Sequence, residues 1–411
     1  MRRPFLSRRS VAARTLAAAT LAVAGILPVA IAPAHASPLV GVVAGTGTGT
    51  GGGDHDCPTD GLSPELQTRL DEAVQQVMRE AGIPGVQVGV WMPGKGNYVR
   101  AFGVADKDTG EPMTDKLNMR IGSETKTFTA TAVLELVDDG LVGLDDPISK
   151  YIDGVPNGDH IALRDLLDMR SGLFSYSADD DFITAFLNDP NRPFTPEELL
   201  AYAFKHPNQF PPGAQFQYSN TNYILLGLVV EKMSGESLRS FIHRRVIRPS
   251  HLKHTLFPQG AEFPEPYAHG YTNQTPTGEI ADTTHWNPSW GWAAGAMISD
   301  LQDLKRWAKD VATGTLLKPA TQAERLNVLP TGLPGAGYGL GIFNINGWIG
   351  HNGSLPGYES LTIYLPEEDA TLVVLLNTDV LYQGYEPSTL VGKAITNIIT
   401  PDHIYDIPPQ R

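Results

Sequence analysis

Cysteine is almost missing from these 411 residues. A single one, Cys57, excludes an intramolecular disulfide scaffold and any zinc cage built from thiolates. Positive charge is scarce too: 31 Lys and Arg stand against 45 Asp and Glu, for a formal net charge of −14. Five of those cations fall in the first 36 residues, so the remainder is more acidic still. Such a body repels phosphate backbones, which argues against nucleic acid as a partner. No internal repeat of fixed period is present, which excludes a solenoid or a propeller. Charged residues make up only 18%, whereas apolar residues reach 41%, enough for a large core and incompatible with global disorder.

Long apolar runs are also lacking, with one exception near the start. Arg2, Arg3, Arg8, Arg9 and Arg14 precede an apolar stretch from Leu16 to Ile31 that Pro28 interrupts, and Ala34-His35-Ala36 follows. A basic segment, a short apolar segment and a small-x-small motif predict a signal peptide over 1–36, cleaved after Ala36, by either the Sec or the twin-arginine route. The run is short of the roughly 20 residues a membrane span needs, so no stable anchor is expected. Residues 37–60 are rich in Gly and Thr and cannot bury enough apolar surface to order themselves, which predicts a flexible linker. The protein is therefore expected to be secreted or to reside in the cell envelope. Its folded body is expected over 61–405.

Within that body, residues 64–81 carry helical spacing behind Ser63, a plausible N-cap. Residues 86–91 and 98–104 read as strands joined by a turn at 93–97. Helical patterns follow at 124–139, 162–169, 196–204, 222–234 and 299–312. Short runs of β-formers close the chain at 338–343, 348–351, 361–365 and 371–376. Strands at both ends with helices between them predict an α+β fold. In it, both chain ends build one antiparallel sheet flanked by helices, with a helical lobe inserted at about 124–224.

Ser123-Glu124-Thr125-Lys126 opens one of these helices. Residues three apart share a helix face, so Lys126 can place its amine beside the Ser123 hydroxyl. A lysine screened from water loses proton affinity and can accept the serine proton. Ser-x-x-Lys alone is a weak signal, as Ser250-His251-Leu252-Lys253 shows. Order decides between the two copies. Tyr218-Ser219-Asn220 lies 95 residues beyond Ser123, room enough for a helical lobe, and supplies a second acid/base in Tyr218. The Asn220 amide is then free to hold a substrate carbonyl or Lys126. The rival Tyr271-Thr272-Asn273 follows Ser250 by only 21 residues. A third element, His351-Asn352-Gly353-Ser354, lies between two strand-like runs. Gly353 admits a substrate close to the strand, and the Ser354 N–H can complete an oxyanion hole with that of Ser123. His243, His251 and His254 lack carboxylates at matching spacing, so no metal site and no cofactor is expected.

In this order the motifs resemble the penicillin-recognising serine hydrolases: class C β-lactamases, D-alanyl-D-alanine carboxypeptidases, related D-peptidases and esterases of the same fold. The resemblance runs from Leu62 to Ile398 and is nearest to the secreted carboxypeptidases. Arg120-Ile121-Gly122-Ser123, Leu144-Asp145-Asp146-Pro147, Ala294-Gly295-Ala296-Met297 and Tyr338-Gly339-Leu340-Gly341 support it. It implies a β-lactamase/transpeptidase-like fold with the active site between sheet and helical lobe, and an acyl-enzyme on Ser123. It further implies Lys126 and Tyr218 as catalytic acid/bases, and Asn220, His351, Asn352, Gly353, Ser354 and Trp290 as substrate-binding residues. The implied substrate is a small molecule or peptide, a peptidoglycan stem peptide among the candidates. Oligomeric state is not legible.

The sequence departs from the family where a substrate carboxylate would bind. His351 stands where the β-lactamases usually have Lys, and Asn352 where Thr is usual. Ile342-Phe343 occupies the stretch in which the carboxypeptidases carry an Arg. Two other readings stay open: an esterase with little peptidase activity, and a non-catalytic penicillin-binding cell-wall protein. A free imidazole titrates at a pKa of about 6.5, so the charge on the cleft wall at His351 is expected to change near neutrality.

Overall fold

The computed structural model describes residues 61–409. The expected signal peptide (1–36), the expected linker (37–60) and Cys57 lie outside the described residues. Helix α1 (Pro64–Ala81) begins behind Ser63, whose side chain accepts the Leu66 N–H, and ends at Gly82 in a left-handed conformation. Strands β1 (Gly85–Met92) and β2 (Gly96–Gly103) form the hairpin that the turn residues predict. The chain then leaves the sheet for helix α2 (Thr125–Asp138), helix α3 (Asn220–Ser234), helix α4 (Leu301–Thr313) and several shorter helices, the last ending at Leu326.

It returns as β3 (Leu329–Pro330), β4 (Ala336–Tyr338), β5 (Phe343–Ile345), β6 (Trp348–Leu355), β7 (Tyr358–Leu365) and β8 (Ala370–Leu376), and closes with helix α5 (Pro387–Ile399). These eight strands form one antiparallel sheet in the order β2-β1-β8-β7-β6-β5-β4-β3. The N-terminal hairpin thus joins the C-terminal strands through β1 and β8. The run expected as one strand over 338–343 is instead broken. Residues 339–342 form a turn closed by the Gly339 N–H to Ile342 carbonyl bond, and β4 and β5 pair with each other on either side of it.

The pleat shows which elements cover which face. Ser360 Oγ donates to the Ile121 carbonyl just before α2, whereas the next residue, Leu361, meets Gly392 of α5. Helices α2 and α5 therefore lie on opposite faces. Helix α1 packs beside α5. Helix α4 joins α2 on the other face, where Trp307 stacks on Phe128 at 4.1 Å between centroids. Residues 125–136 of α2 are all buried, so this helix is the axis on which sheet and helical lobe meet. No helix among the described residues is long and apolar enough to cross a membrane.

Candidate active site

The site is built where α2 begins. Gly122–Glu124 form a single 3₁₀ turn, and α2 continues it from Thr125, so Ser123 precedes the α-helix proper by two residues. The i to i+3 relation survives this tightening: Lys126 Nζ lies 2.9 Å from Ser123 Oγ. A second partner holds the amine, the Ala294 carbonyl at 2.7 Å, delivered by the segment before residue 300. Lys126 is completely buried, and burial alone pushes it well below the ordinary lysine value. A neutral amine beside a serine hydroxyl can accept its proton.

Tyr218 stands opposite. Its ring lies 4.9 Å from Lys126 Nζ, and Tyr223 of α3 flanks the same amine at 5.6 Å. The Tyr218 hydroxyl is buried without a completed hydrogen bond. Burial drives it well above the usual phenol value, partly opposed by the neighbouring Ser123 hydroxyl. A protonated phenol with an unspent O–H, aimed at the nucleophile, is suited to donate to a leaving group. Asn220 opens α3 two residues on. Its amide donates to Ser177 Oγ at 3.0 Å and its N–H to Ser175 Oγ at 3.1 Å, so it ties the rim segment 175–177 to the site. The holder of Lys126 is Ala294, not Asn220.

Strand β6 supplies the other wall. Its pairing with β5 ends at Gly350, which leaves the edge of residues 351–354 open while β7 pairs on the far side. Counting back from the two-residue turn Pro356-Gly357, ladder alternation turns the backbone groups of Ser354 and Asn352 toward that open edge. The nucleophile's turn presses against it. A Cβ on Gly122 would lie 2.7 Å from the Ser354 nitrogen, and one on Gly353 would lie 2.0 Å from the Ile121 carbonyl oxygen. Only two residues without side chains allow this approach, which brings the N–H of Ser354 beside Ser123.

His351 corrects one expectation. Only 2% of it is exposed, and burial pushes it down to about 3. Its ring is fixed at both nitrogens: Nδ1 faces the Asn352 carbonyl at 2.5 Å, and Nε2 faces the Tyr338 hydroxyl at 3.1 Å. Nδ1–H therefore donates and Nε2 accepts. The imidazole is neutral, and the cleft wall does not titrate near pH 7 as the free side chain would. Trp290 stands among Phe182 and Phe186, at 6.3 and 5.3 Å, with 7% of its surface exposed. Its ring thus packs within the helical lobe. Asn352 turns its side chain to Glu386, at 2.8 Å.

The second Ser-x-x-Lys motif forms no such cluster. Ser250 is buried beyond the helical turn 243–247, whereas Lys253 is exposed. Arg325, the last Arg before the strands, is buried behind α2, where it donates to Thr131 Oγ1 and the Thr127 carbonyl at 2.9 and 3.0 Å. It cannot serve as the carboxylate-binding cation. Tyr338 and Ala294 escaped the reading of site residues, although both lie in segments that carry the family resemblance. Glu386 had no signal in the sequence.

The Beta-lactamase family model matches residues 70–388. Among curated proteins, protein flp of Staphylococcus aureus (strain N315) is 28% identical over 334 residues, covering 78% of this chain and 65% of its own. The chain thus spans just under two thirds of that relative's length. Among solved structures, a D-stereospecific amidohydrolase from Streptomyces sp. is 30% identical with a TM-score of 0.73, covering 82% of this chain and 99% of that one. The D-amino acid amidase from Ochrobactrum anthropi SV3 is 28% identical with a TM-score of 0.70, covering 80% and 97%.

Proposed function

The chain belongs to the beta-lactamase family and is a serine hydrolase, and from that premise we propose that it hydrolyses D-amino acid amides and short D-peptides through an acyl-enzyme on Ser123. The observation that carries this reading is the buried amine of Lys126, 2.9 Å from Ser123 Oγ. Neutral Lys126 takes the serine proton as Oγ attacks the substrate carbonyl. The N–H groups of Ser123 and Ser354 receive the developing oxyanion. Tyr218 then protonates the departing amine, which breaks the C–N bond and leaves the acyl group on Ser123. Water attacks the ester, giving up its proton to the Lys126–Tyr218 pair, and the acid product leaves.

The choice of amides over free-acid peptides rests on the cleft wall. His351 is neutral and Arg325 lies behind α2, so neither offers a cation to a terminal carboxylate. The D-configuration is supported by the names of the two structural relatives, each an amide hydrolase for D-substrates. An esterase remains the second reading, favoured by the same missing cation. A purely binding role is disfavoured, since a binder needs none of this proton chemistry. We further propose that the enzyme acts outside the cytoplasm, on the strength of the basic and apolar segments within residues 1–36.

Turnover of D- and L-amino acid amides, D-Ala-D-Ala peptides and p-nitrophenyl esters, by wild type and Ser123→Ala, tests the proposal. Amide hydrolysis restricted to D-substrates and lost in the variant supports it. Ester hydrolysis without amide hydrolysis moves the protein to the second reading.

A further inference from the structure

A cavity of about 950 Å³ opens beside α4, and no residue of the candidate active site lines it. Helix α4 turns Leu304 and Trp307 toward the core. Gln302, Lys305, Arg306 and Lys309, spaced i, i+3, i+4 and i+7, share its other face and line the cavity. The lining is apolar at Trp91 of β1, Pro93 and Pro266, and Lys305 Nζ lies 4.9 Å from the centre of the Trp91 ring. Two loops add Lys116 and Lys253, the latter being the lysine of the second Ser-x-x-Lys motif.

The charges on this surface are not balanced pair by pair. Five carboxylates also line it, but four have partners. Asp300 accepts the Asp303 N–H at 2.8 Å and holds the His254 ring. Asp303 accepts the N–H groups of His254 and Thr255 at 2.7 and 2.8 Å. Asp369 pairs with Lys309 at 2.7 Å, and Asp310 accepts Thr315 Oγ1 at 3.0 Å. Lys116, Lys253, Lys305 and Arg306 make no ion pair among the described residues. Four cations thus line one cavity with a single carboxylate, Asp115, left over. Burial and the adjacent Arg306 charge hold the Lys305 amine below its ordinary value, as expected where cations crowd.

We infer that this cavity binds a compact organic phosphate, with the phosphate among the lysines and an apolar or planar body against the Trp91 side. A phosphate monoester places nearly two negative charges on one group, which several lysines can reach as point charges. The volume is that of a site for a small organic molecule. A long polyanion does not suit it, because the chain as a whole carries a formal charge of −14. The site is separate from Ser123, and the inference is independent of the hydrolase reading.

Calorimetric titration of the full chain with 1-naphthyl phosphate, 1-naphthol and inorganic phosphate tests it. The naphthyl phosphate is expected to bind with a Kd below ~1 mM and at least ~10-fold more tightly than either part alone. Its affinity should fall at least ~10-fold when Lys305→Gln and Arg306→Gln are combined. Lys116→Gln combined with Lys253→Gln, at exposed loop positions that leave α4 untouched, should weaken it comparably. Ser123→Ala should bind as the wild type does. Absence of binding at millimolar concentrations, an unchanged affinity in either double variant, or either part binding as tightly as the whole overturns the inference. Loss of binding in Ser123→Ala would place the ligand in the catalytic cleft and overturn it as well.

Discussion

Lys126 Nζ and the Ala294 carbonyl oxygen lie 2.7 Å apart although 168 residues separate them in the chain. This contact fixes what the buried amine can do. One N–H is committed to Ala294, so in the neutral amine the lone pair is left to face Ser123 Oγ on the other side. The lysine is a base because the lobe brings a carbonyl to it without bringing a carboxylate.

Proton transfer is therefore the first thing to break. Lys126→Ala and Tyr218→Phe are each expected to lower kcat by at least ~10²-fold, the usual contribution of a positioned acid or base. Fluorophosphonate labelling followed by peptide mapping should find Ser123 modified and Ser250 untouched. Near-normal turnover in either variant, with an unchanged circular dichroism spectrum, would remove that residue from the mechanism.

His351 ties stability to acid. Its folded value of about 3 lies below that of a free imidazole, so the unfolded chain binds the extra proton first. Its contribution is complete above about pH 6.5 and falls as the pH drops from there toward 3. Thermal melts should show Tm declining through this window, and less steeply in His351→Gln. Between pH 6 and 8 the preference between matched acid and amide substrates should not change, since the wall charge is constant there. A preference that shifted through an apparent pKa near 6.5 would contradict a neutral His351.

Glu124 works in the opposite direction. It is buried beside the nucleophile, and burial pushes it up to about 8, opposed by Ser360 and Thr362. The folded state thus retains a proton that the unfolded chain loses near pH 4.5, the ordinary glutamate value. This stabilisation is complete below about pH 4.5 and disappears as the pH rises through 8. Glu124→Gln should flatten the fall of Tm across that range; an identical pH dependence in both proteins would rule the effect out.

Gly353→Ala tests the approach of strand to nucleophile. The added Cβ would sit 2.0 Å from the Ile121 carbonyl, backbone against backbone, so β6 must move away from the 3₁₀ turn. Because a misplacement of about 1 Å can cost 10²-fold in rate, activity should fall by roughly that factor, with a lowered Tm. Full activity in a folded variant would show that the Ser354 N–H is not needed where the structure places it.

The sequence by itself determined the parts of this protein that depend on near neighbours. A helix brings residues three apart onto one face, so Ser123 and Lys126 meet whatever surrounds them. Alternation and turn residues fixed the 85–103 hairpin, and apolar runs marked β6 through β8. Chain order was enough to choose Tyr218 over the decoy at Tyr271. What only the tertiary structure decided depends on burial and on approaches between distant segments. The 339–342 turn breaks a run of β-formers because the chain reverses there to pair β4 with β5, which leaves the edge of β6 open beyond Gly350. Trp290 enters an aromatic cluster because the lobe closes over it. His351 is neutral and Glu124 is protonated because packing sets the local dielectric and the neighbouring charges. No spacing rule records those, since they arise only when segments hundreds of residues apart exclude water from the same small volume.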